Sequence, residues 1–230
     1  MKNIAIILAG GTGSRVGGET PKQLLPLADG RSILEHSIDA FEDAPSIDEV
    51  AVVMHPGYIN TLQELCQNNH WQKLKMIIPG GGERWESSYN AVTAYRNNTP
   101  SLQERHGGTV SLLFHDAARP FVSQRIISEV CTALEKHEAV TVAVPSTDTI
   151  YITENNRLID MPPRETVCRA QTPQAFHLET IAEAFRKAVE QGNIAATDDI
   201  GILHHYSPEI PVYIVPGEEQ NRKITYREDL

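Results

Sequence analysis

The chain has 230 residues, 40% hydrophobic and 22% charged, with a formal net charge of −10. That length allows one large domain or two small ones, and the composition is ordinary for a globular protein. The acidic balance argues against nonspecific nucleic-acid binding, which needs a basic surface, and leaves basic residues to concentrate where they have a task. No apolar run is long enough to cross a bilayer and the first residues lack a signal-peptide core, so a cytoplasmic location without a membrane partner is expected. Cys66, Cys131 and Cys168 lie far apart, which points to reduced thiols rather than a disulfide framework or a zinc site. With no repeat, low-complexity tract or long Pro/Gly/Ser linker, residues 1–230 read as a single domain.

Taken in chain order, Ile4–Leu8 is a short β-branched run suited to a buried parallel strand. It enters Ala9-Gly10-Gly11-Thr12-Gly13-Ser14-Arg15, and Pro21-Lys22-Gln23 follows. A strand opening into a glycine turn presents backbone N–H groups to a phosphate, and Arg15 and Lys22 add two positive charges. The segment is neither a P-loop, because Glu19 stands where lysine is needed, nor a dinucleotide fingerprint, because Val16 occupies the third glycine position. A tight turn without a ligand is the plainer reading. Two cations beside a bare backbone turn would repel without an anion between them, so a nucleoside triphosphate site is expected.

Ser32–Phe41 places Ile33, Leu34, Ile38 and Phe41 on one helical face, and Glu49–Met54 and Met76–Pro79 resemble the first strand. Gly80-Gly81-Gly82-Glu83-Arg84 opens a helical pattern at Ser87–Tyr95. Small residues here let backbone approach a planar ring whose edge Ser87 can hydrogen-bond; alternatively this is simply a capped helix start. Leu112–His115 reads as a strand leading to Asp116-Ala117-Ala118-Arg119-Pro120. A carboxylate at a parallel strand's carboxyl end, with small neighbours, suits Mg²⁺ bridging a triphosphate, although Asp116 can also form a structural turn with Arg119. His115 reads as structural.

Ser123–Lys136 is helical with Ser123 as N-cap, Val140–Val144 and Val212–Val215 are strands, and Leu178–Gln191 is a helix. Strands alternating with helices imply a parallel sheet covered on both faces. Asp148–Glu165 breaks the rhythm, with strand-like residues on either side of Glu154-Asn155-Asn156, and reads as an inserted hairpin: an edge pair or an arm onto another subunit. Thr197-Asp198-Asp199 and Asn221-Arg222-Lys223-Ile224-Thr225 carry polar groups whose spacing alone assigns no partner.

In this order, AGGTGSR, PKQ, GGxER, HDAARP, the Asp148-Thr149 hairpin start, Arg164 before AQTPQAF, TDD and NRKIT resemble the 2-C-methyl-D-erythritol 4-phosphate cytidylyltransferase family over essentially the whole chain. The resemblance implies an α/β, Rossmann-like, mostly parallel sheet with helices on both faces and an inserted β-hairpin dimerisation arm (147–165). The implied reaction belongs to isoprenoid biosynthesis and joins CTP to a polyol phosphate, releasing pyrophosphate, with Mg²⁺ as cofactor. By the same resemblance, Arg15, Lys22 and Lys223 stabilise the triphosphate, and Asp116 binds the metal. Ala9, Gly10, Gly81 and Ser87 recognise cytidine, with Gly11, Gly13, Ala117 and Arg119 beside the nucleotide. Thr197 holds the acceptor with Arg164 and Thr149, which the arm delivers to a partner subunit in a homodimer.

Ala9-Gly10-Gly11 departs from the two alanines common in the family, and this Gly-Gly form also occurs in the related ribitol 5-phosphate cytidylyltransferases. Arg164–Arg169 also lacks an aromatic residue often found there. HDAARP and AQTPQ resemble the isoprenoid enzyme, so methylerythritol phosphate is the expected acceptor and ribitol 5-phosphate the alternative. Relatives usually continue with a terminal helix beyond Glu228-Asp229-Leu230; either that helix is absent or the chain here is shortened. A nicotinamide oxidoreductase lacks support without the third glycine. A nucleotide sensor without turnover is disfavoured because Arg15, Lys22, Asp116 and Lys223 are all present.

Overall fold

Ile4 and Ile6 face one side of the central sheet and Ala5, Ile7 and Ala9 the other, all at most 2% exposed. A strand covered on both faces must be apolar at successive positions, which is why β1 (Lys2–Ala9) reads as an unbroken run. A computed structural model of the chain describes residues 1–11, 21–106, 108–192, 194, 196–226 and 229, with 98–106 described by backbone alone.

After β1 come α1 (Ile33–Glu42), β2 (Glu49–Met54), α2 (Ile59–Asn69), β3 (Leu74–Pro79), α3 (Arg84–His106), β4 (Val110–Asp116) and α4 (Gln124–Leu134). Then follow β5 (Ala139–Pro145), β6 (Ile152–Glu154), β7 (Arg157–Asp160), β8 (Cys168–His177), α5 (Leu178–Gln191), α6 (Asp199–Tyr206) and β9 (Val212–Pro216). The main sheet runs β3-β2-β1-β4-β8-β5-β9. Its pairings are parallel except those of β8, which runs antiparallel to both β4 and β5. Helices α1, α2 and α4 cover one face and α3, α5 and α6 the other.

The serine caps form as their spacing requires. Ser32 and Glu35 make a reciprocal capping box on α1, and Ser123 Oγ accepts from the Ile126 amide on α4. Helix α3 is longer than the Ser87–Tyr95 pattern: it starts at Arg84 and runs past the last residue of the apolar stripe.

Two features place chemistry at one end of the sheet. The chain passes from β1 outward to β2 and β3, then returns to β4 on the other side of β1, so the strand order reverses between β1 and β4. Ligands of open α/β sheets bind in the crevice at such a switch point. In addition, the β5–β8 register jumps from Val140↔Ala175 to Val142↔Gln171, so Thr172–Gln174 bulge away from β5 while Gln174 stays paired with Phe114 of β4.

The hairpin β6–β7 is a separate two-stranded sheet. Asn155 and Asn156 have φ of 50° and 59°, the two positive values of a type I′ turn, while Glu154 pairs with Arg157 and belongs to the ladder rather than the turn. Tyr151, Ile152, Leu158, Ile159 and Met161 are all more than 45% exposed on it.

Candidate active site

The carboxyl ends of β1 and β4 open into a cleft of about 460 Å³, within the range of small-molecule sites. Two glycine turns make its floor. A Cβ built on Gly80 would lie 3.1 Å from the Gly10 backbone, so the close approach of the turns favours glycine at Gly80; one on Gly10 would crowd only the Ser87 hydroxyl, at 2.8 Å. Gln23 Nε2 donates to the carbonyls of Ala9 and Gly11 at 2.8 Å each, fixing the end of the first turn. The second turn is held from within: Ser87 Oγ accepts from the Gly81 amide at 3.1 Å, and Glu86 Oε2 accepts from the amides of Gly82 and Glu83. Ser87 therefore lines the cleft while tying the glycine turn to the first turn of α3.

Charge collects on the β4 side. Asp116 Oδ2 lies 2.8 Å from Lys223 Nζ and 3.9 Å from Arg119 Nε, and its Oδ1 lies 3.5 Å from Arg84 Nη2. Burial alone would raise this carboxyl, but Arg84, Lys223 and Arg119 outweigh it and hold it well below the usual carboxylate range. Asp116 is therefore a nearly buried, permanently ionised oxygen donor. Lys22 Nζ donates to the Ile224 carbonyl at 2.8 Å, and the Ile224 amide donates to the Ala118 carbonyl, which ties the segment carrying Lys223 across the cleft. Asn221 is fully buried and pins the same segment to β8, donating to the Thr172 carbonyl at 2.9 Å.

A second cavity of about 170 Å³ adjoins the first and is lined by Arg119, Thr172, Gln174, Thr197 and Asp198, with Arg84, Asp116 and Lys223 common to both. Arg119, expected beside the nucleotide, lines this smaller cavity and is absent from the lining of the larger. The reason is that its guanidinium donates to the carbonyls of Asn221 and Ala170, which turns it toward β8.

His115 is fully buried behind Thr172, which lines the smaller cavity. Its Nε2 lies 3.0 Å from the Arg119 carbonyl, which can only accept, so Nε2 carries the proton. Thr172 Oγ1 accepts from the Asp116 amide at 3.1 Å and turns its own proton to His115 Nδ1 at 3.0 Å. This network needs a neutral ring, and complete burial pushes the imidazole down to about 4. The unfolded chain takes up a proton near pH 6.5 and the folded one only near 4, so stability is complete above about 6.5 and is lost as pH falls toward 4. The difference between these two values corresponds to about 3 kcal/mol. Urea unfolding between pH 7 and 4 should show that loss in the native protein and a correspondingly smaller one in His115→Gln; equal pH slopes for the two would refute it.

Ala9, Gly10, Gly11, Lys22, Gly81, Ser87, Asp116, Ala117 and Lys223 all converge on the larger cleft, as their motifs suggest, and Thr197 lies on the smaller cavity. Gly13 and Arg15 lie outside the described residues. Thr149 and Arg164 line neither cavity; Arg164 Nη2 donates to Thr149 Oγ1 at 3.2 Å on the exposed base of the hairpin. Sequence reasoning missed Gln23, Arg84, Thr172, Gln174 and Asn221. All lie inside motifs whose neighbours drew attention, but their partners are distant in the chain. Among the described residues, no group of three or more His, Cys, Asp or Glu is arranged to hold a metal, and no helix is long and apolar enough to cross a membrane.

A sheet covered on both faces, with glycine turns and converging cations at its switch point, defines an α/β enzyme of the nucleotidyltransferase class. Residues 3–230 match the family model described as IspD: 2-C-methyl-D-erythritol 4-phosphate cytidylyltransferase, and the chain belongs to that family. A 2-C-methyl-D-erythritol 4-phosphate cytidylyltransferase of Thermobifida fusca (strain YX) is 42% identical over 231 residues, covering 98% of this chain and 89% of that protein. The bifunctional ribulose 5-phosphate reductase/CDP-ribitol pyrophosphorylase Bcs1 of Haemophilus influenzae is 39% identical over 231 residues; the match covers 100% of this chain but 47% of that protein. The crystal structure of 4-diphosphocytidyl-2C-methyl-D-erythritol synthase from Anaerococcus prevotii DSM 20548 superposes with a TM-score of 0.82 at 26% identity, covering 99% of this chain and 92% of that one.

Proposed function

We propose that this protein transfers the cytidylyl group of CTP to 2-C-methyl-D-erythritol 4-phosphate, giving 4-diphosphocytidyl-2-C-methyl-D-erythritol and pyrophosphate. The observation that carries this reading is the cation-lined cleft at the switch point, in a chain that belongs to this family. The acceptor's phosphate oxygen attacks the α-phosphorus of CTP in line; a P–O bond forms there as the bond to the β-phosphate breaks and pyrophosphate leaves. Charge builds on the α-phosphate oxygens, so positioning and electrostatic stabilisation do most of the work. Lys22 and Lys223 supply that stabilisation, together with Arg15. The glycine turns, with Ser87, receive the cytosine ring. Thr197 and Arg119 face the acceptor in the smaller cavity.

Mg²⁺ fits this donor set. An ionised Asp116 offers one hard oxygen beside the small Ala117 and Ala118, which matches an ion held by one or two carboxylates plus substrate phosphates. When bound, the ion neutralises triphosphate charge.

The hairpin is the dimerisation arm in this reading. Its apolar side chains are exposed, and a lone two-stranded sheet is marginal in water, so a second copy is its natural cover. Arg164 and Thr149 then serve the partner's acceptor site. The 39% identity to a protein named for CDP-ribitol formation favours testing one other acceptor.

The test is pyrophosphate release from CTP with methylerythritol 4-phosphate and ribitol 5-phosphate in parallel, across a dilution series of the enzyme. Methylerythritol phosphate should be preferred by at least about tenfold in kcat/KM, or about 1.4 kcal/mol of differential transition-state binding. Equal or reversed preference would overturn the acceptor assignment. Specific activity should fall on dilution as dimers separate, and constant activity in monomeric enzyme would overturn the arm's role.

A further inference from the structure

Arg84 takes no part in the roles assigned so far, yet it stands where the two cavities meet and lines both. Its Nη2 lies 2.9 Å from Asp199 Oδ2 and 3.5 Å from Asp116 Oδ1. Asp199 is fully buried, so it cannot reach a substrate itself. Nor does α6 need this carboxylate. Asp198 Oδ1 caps that helix by accepting from the Gly201 amide at 2.8 Å, and Gln174 Oε1 accepts from the amides of Asp199 and Ile200. Keeping a charged carboxylate out of water is costly unless it is paired, and the partner it has is Arg84.

We infer that Asp199 is a positioning residue that fixes the Arg84 guanidinium at the junction of the two cavities, where Arg84 bridges the acceptor phosphate and the α-phosphate as they approach. The inference rests on the cytidylyl-transfer reading above. Two phosphates must come together at this point, and their mutual repulsion opposes the reaction. Asp199 Oδ2 holds the guanidinium through Nη2 at 2.9 Å, which leaves its other donors, in the same plane, for two anions. Fixing that plane beforehand removes side-chain entropy that would otherwise be lost in the transition state. Without substrate, Asp116 is the anion that Arg84 faces.

Asp199→Asn, Arg84→Lys and the double variant separate this from a purely structural pairing. Asn keeps the volume of the buried side chain, and Lys keeps the charge of Arg84 but loses its fork. Each single variant should lower kcat about tenfold with KM for CTP within about threefold of native. The double variant should be no more than about threefold worse than Arg84→Lys alone, because both changes remove the same orientation. A native kcat per folded molecule in Asp199→Asn, or losses that multiply to about a hundredfold in the double variant, would overturn the inference. If Asp199→Asn does not fold, Arg84→Lys decides alone, and native turnover in it overturns the inference. Native protein that releases no pyrophosphate with either acceptor overturns the cytidylyl-transfer reading and this inference with it. Native turnover beside unaffected variants overturns this inference only.

Discussion

Replacing Asp116 by asparagine is expected to lower kcat by about 10³-fold while leaving CTP affinity, measured in the absence of divalent metal, no weaker than native. The split follows from geometry. Three cations converge on this carboxylate at 2.8, 3.5 and 3.9 Å, and asparagine keeps its shape while removing its charge. With that charge gone, Lys223, Arg84 and Arg119 present more net positive charge to a triphosphate, so ground-state binding is kept. What is lost is the arrangement: Lys223 is no longer held in place, and the hard oxygen that suits the metal is gone. Interactions effective only in the transition state appear in kcat, whereas uniform binding appears in KM. Pyrophosphate release gives the first quantity and calorimetric CTP titration in a chelating buffer the second. Weakened metal-free CTP binding with near-native kcat would contradict the assignment.

The sequence was legible where physics is local. Ile4–Leu8 and Glu49–Met54 needed only burial on both sides to be read as strands, and Ser123 needed only a helix immediately ahead to be read as its cap. Legibility failed where a segment is buried for its polar groups. In β8, Gln171, Thr172 and Gln174 are at most 5% exposed, yet they carry amides and a hydroxyl, so neither alternation nor an apolar run marks the strand. They are inside because they hold the site: Thr172 fixes the Asp116 amide, Gln174 anchors the start of α6, and Gln171 accepts from Asn221. Helix α2 escaped notice for the opposite reason, since only Leu62 of its eleven residues is buried. Arg84 could be seen as a charged residue near a glycine turn, but its partner Asp199 lies 115 positions away and no spacing rule connects them. The glycine turn itself showed the same division. Its closeness to Gly80 is a tertiary fact, whereas its failure to match the P-loop and dinucleotide patterns was already visible in Val16 and Glu19.

Lys22→Ala should lower kcat by about 10²-fold in a protein that remains folded. Lys22–Leu24 forms a short 3₁₀ turn, with Pro21 as its N-cap, in which the side chains of Lys22 and Gln23 face different tasks. Gln23 reaches back to the carbonyls of the glycine turn, while Lys22 reaches across to the Ile224 carbonyl beside Lys223. Removing the lysine deletes its partly buried hydrogen bond to the Ile224 carbonyl, a stability cost of about 1 kcal/mol for that bond. Losing a preorganised charge aimed at developing phosphate charge costs more, about 2.7 kcal/mol, which is the hundredfold expected in rate. The larger number therefore belongs to catalysis, and the two are measured separately: thermal unfolding for the anchor, pyrophosphate release at saturating CTP for the charge. Turnover within threefold of native in a folded Lys22→Ala protein would remove Lys22 from the catalytic group. A large fall in melting temperature with native activity per folded molecule would instead make it a clasp between the glycine turn and the Lys223 segment. The expected result is the reverse of that pairing, because the Ile224 segment keeps its amide bond to Ala118 and the buried Asn221 anchor when Lys22 is gone.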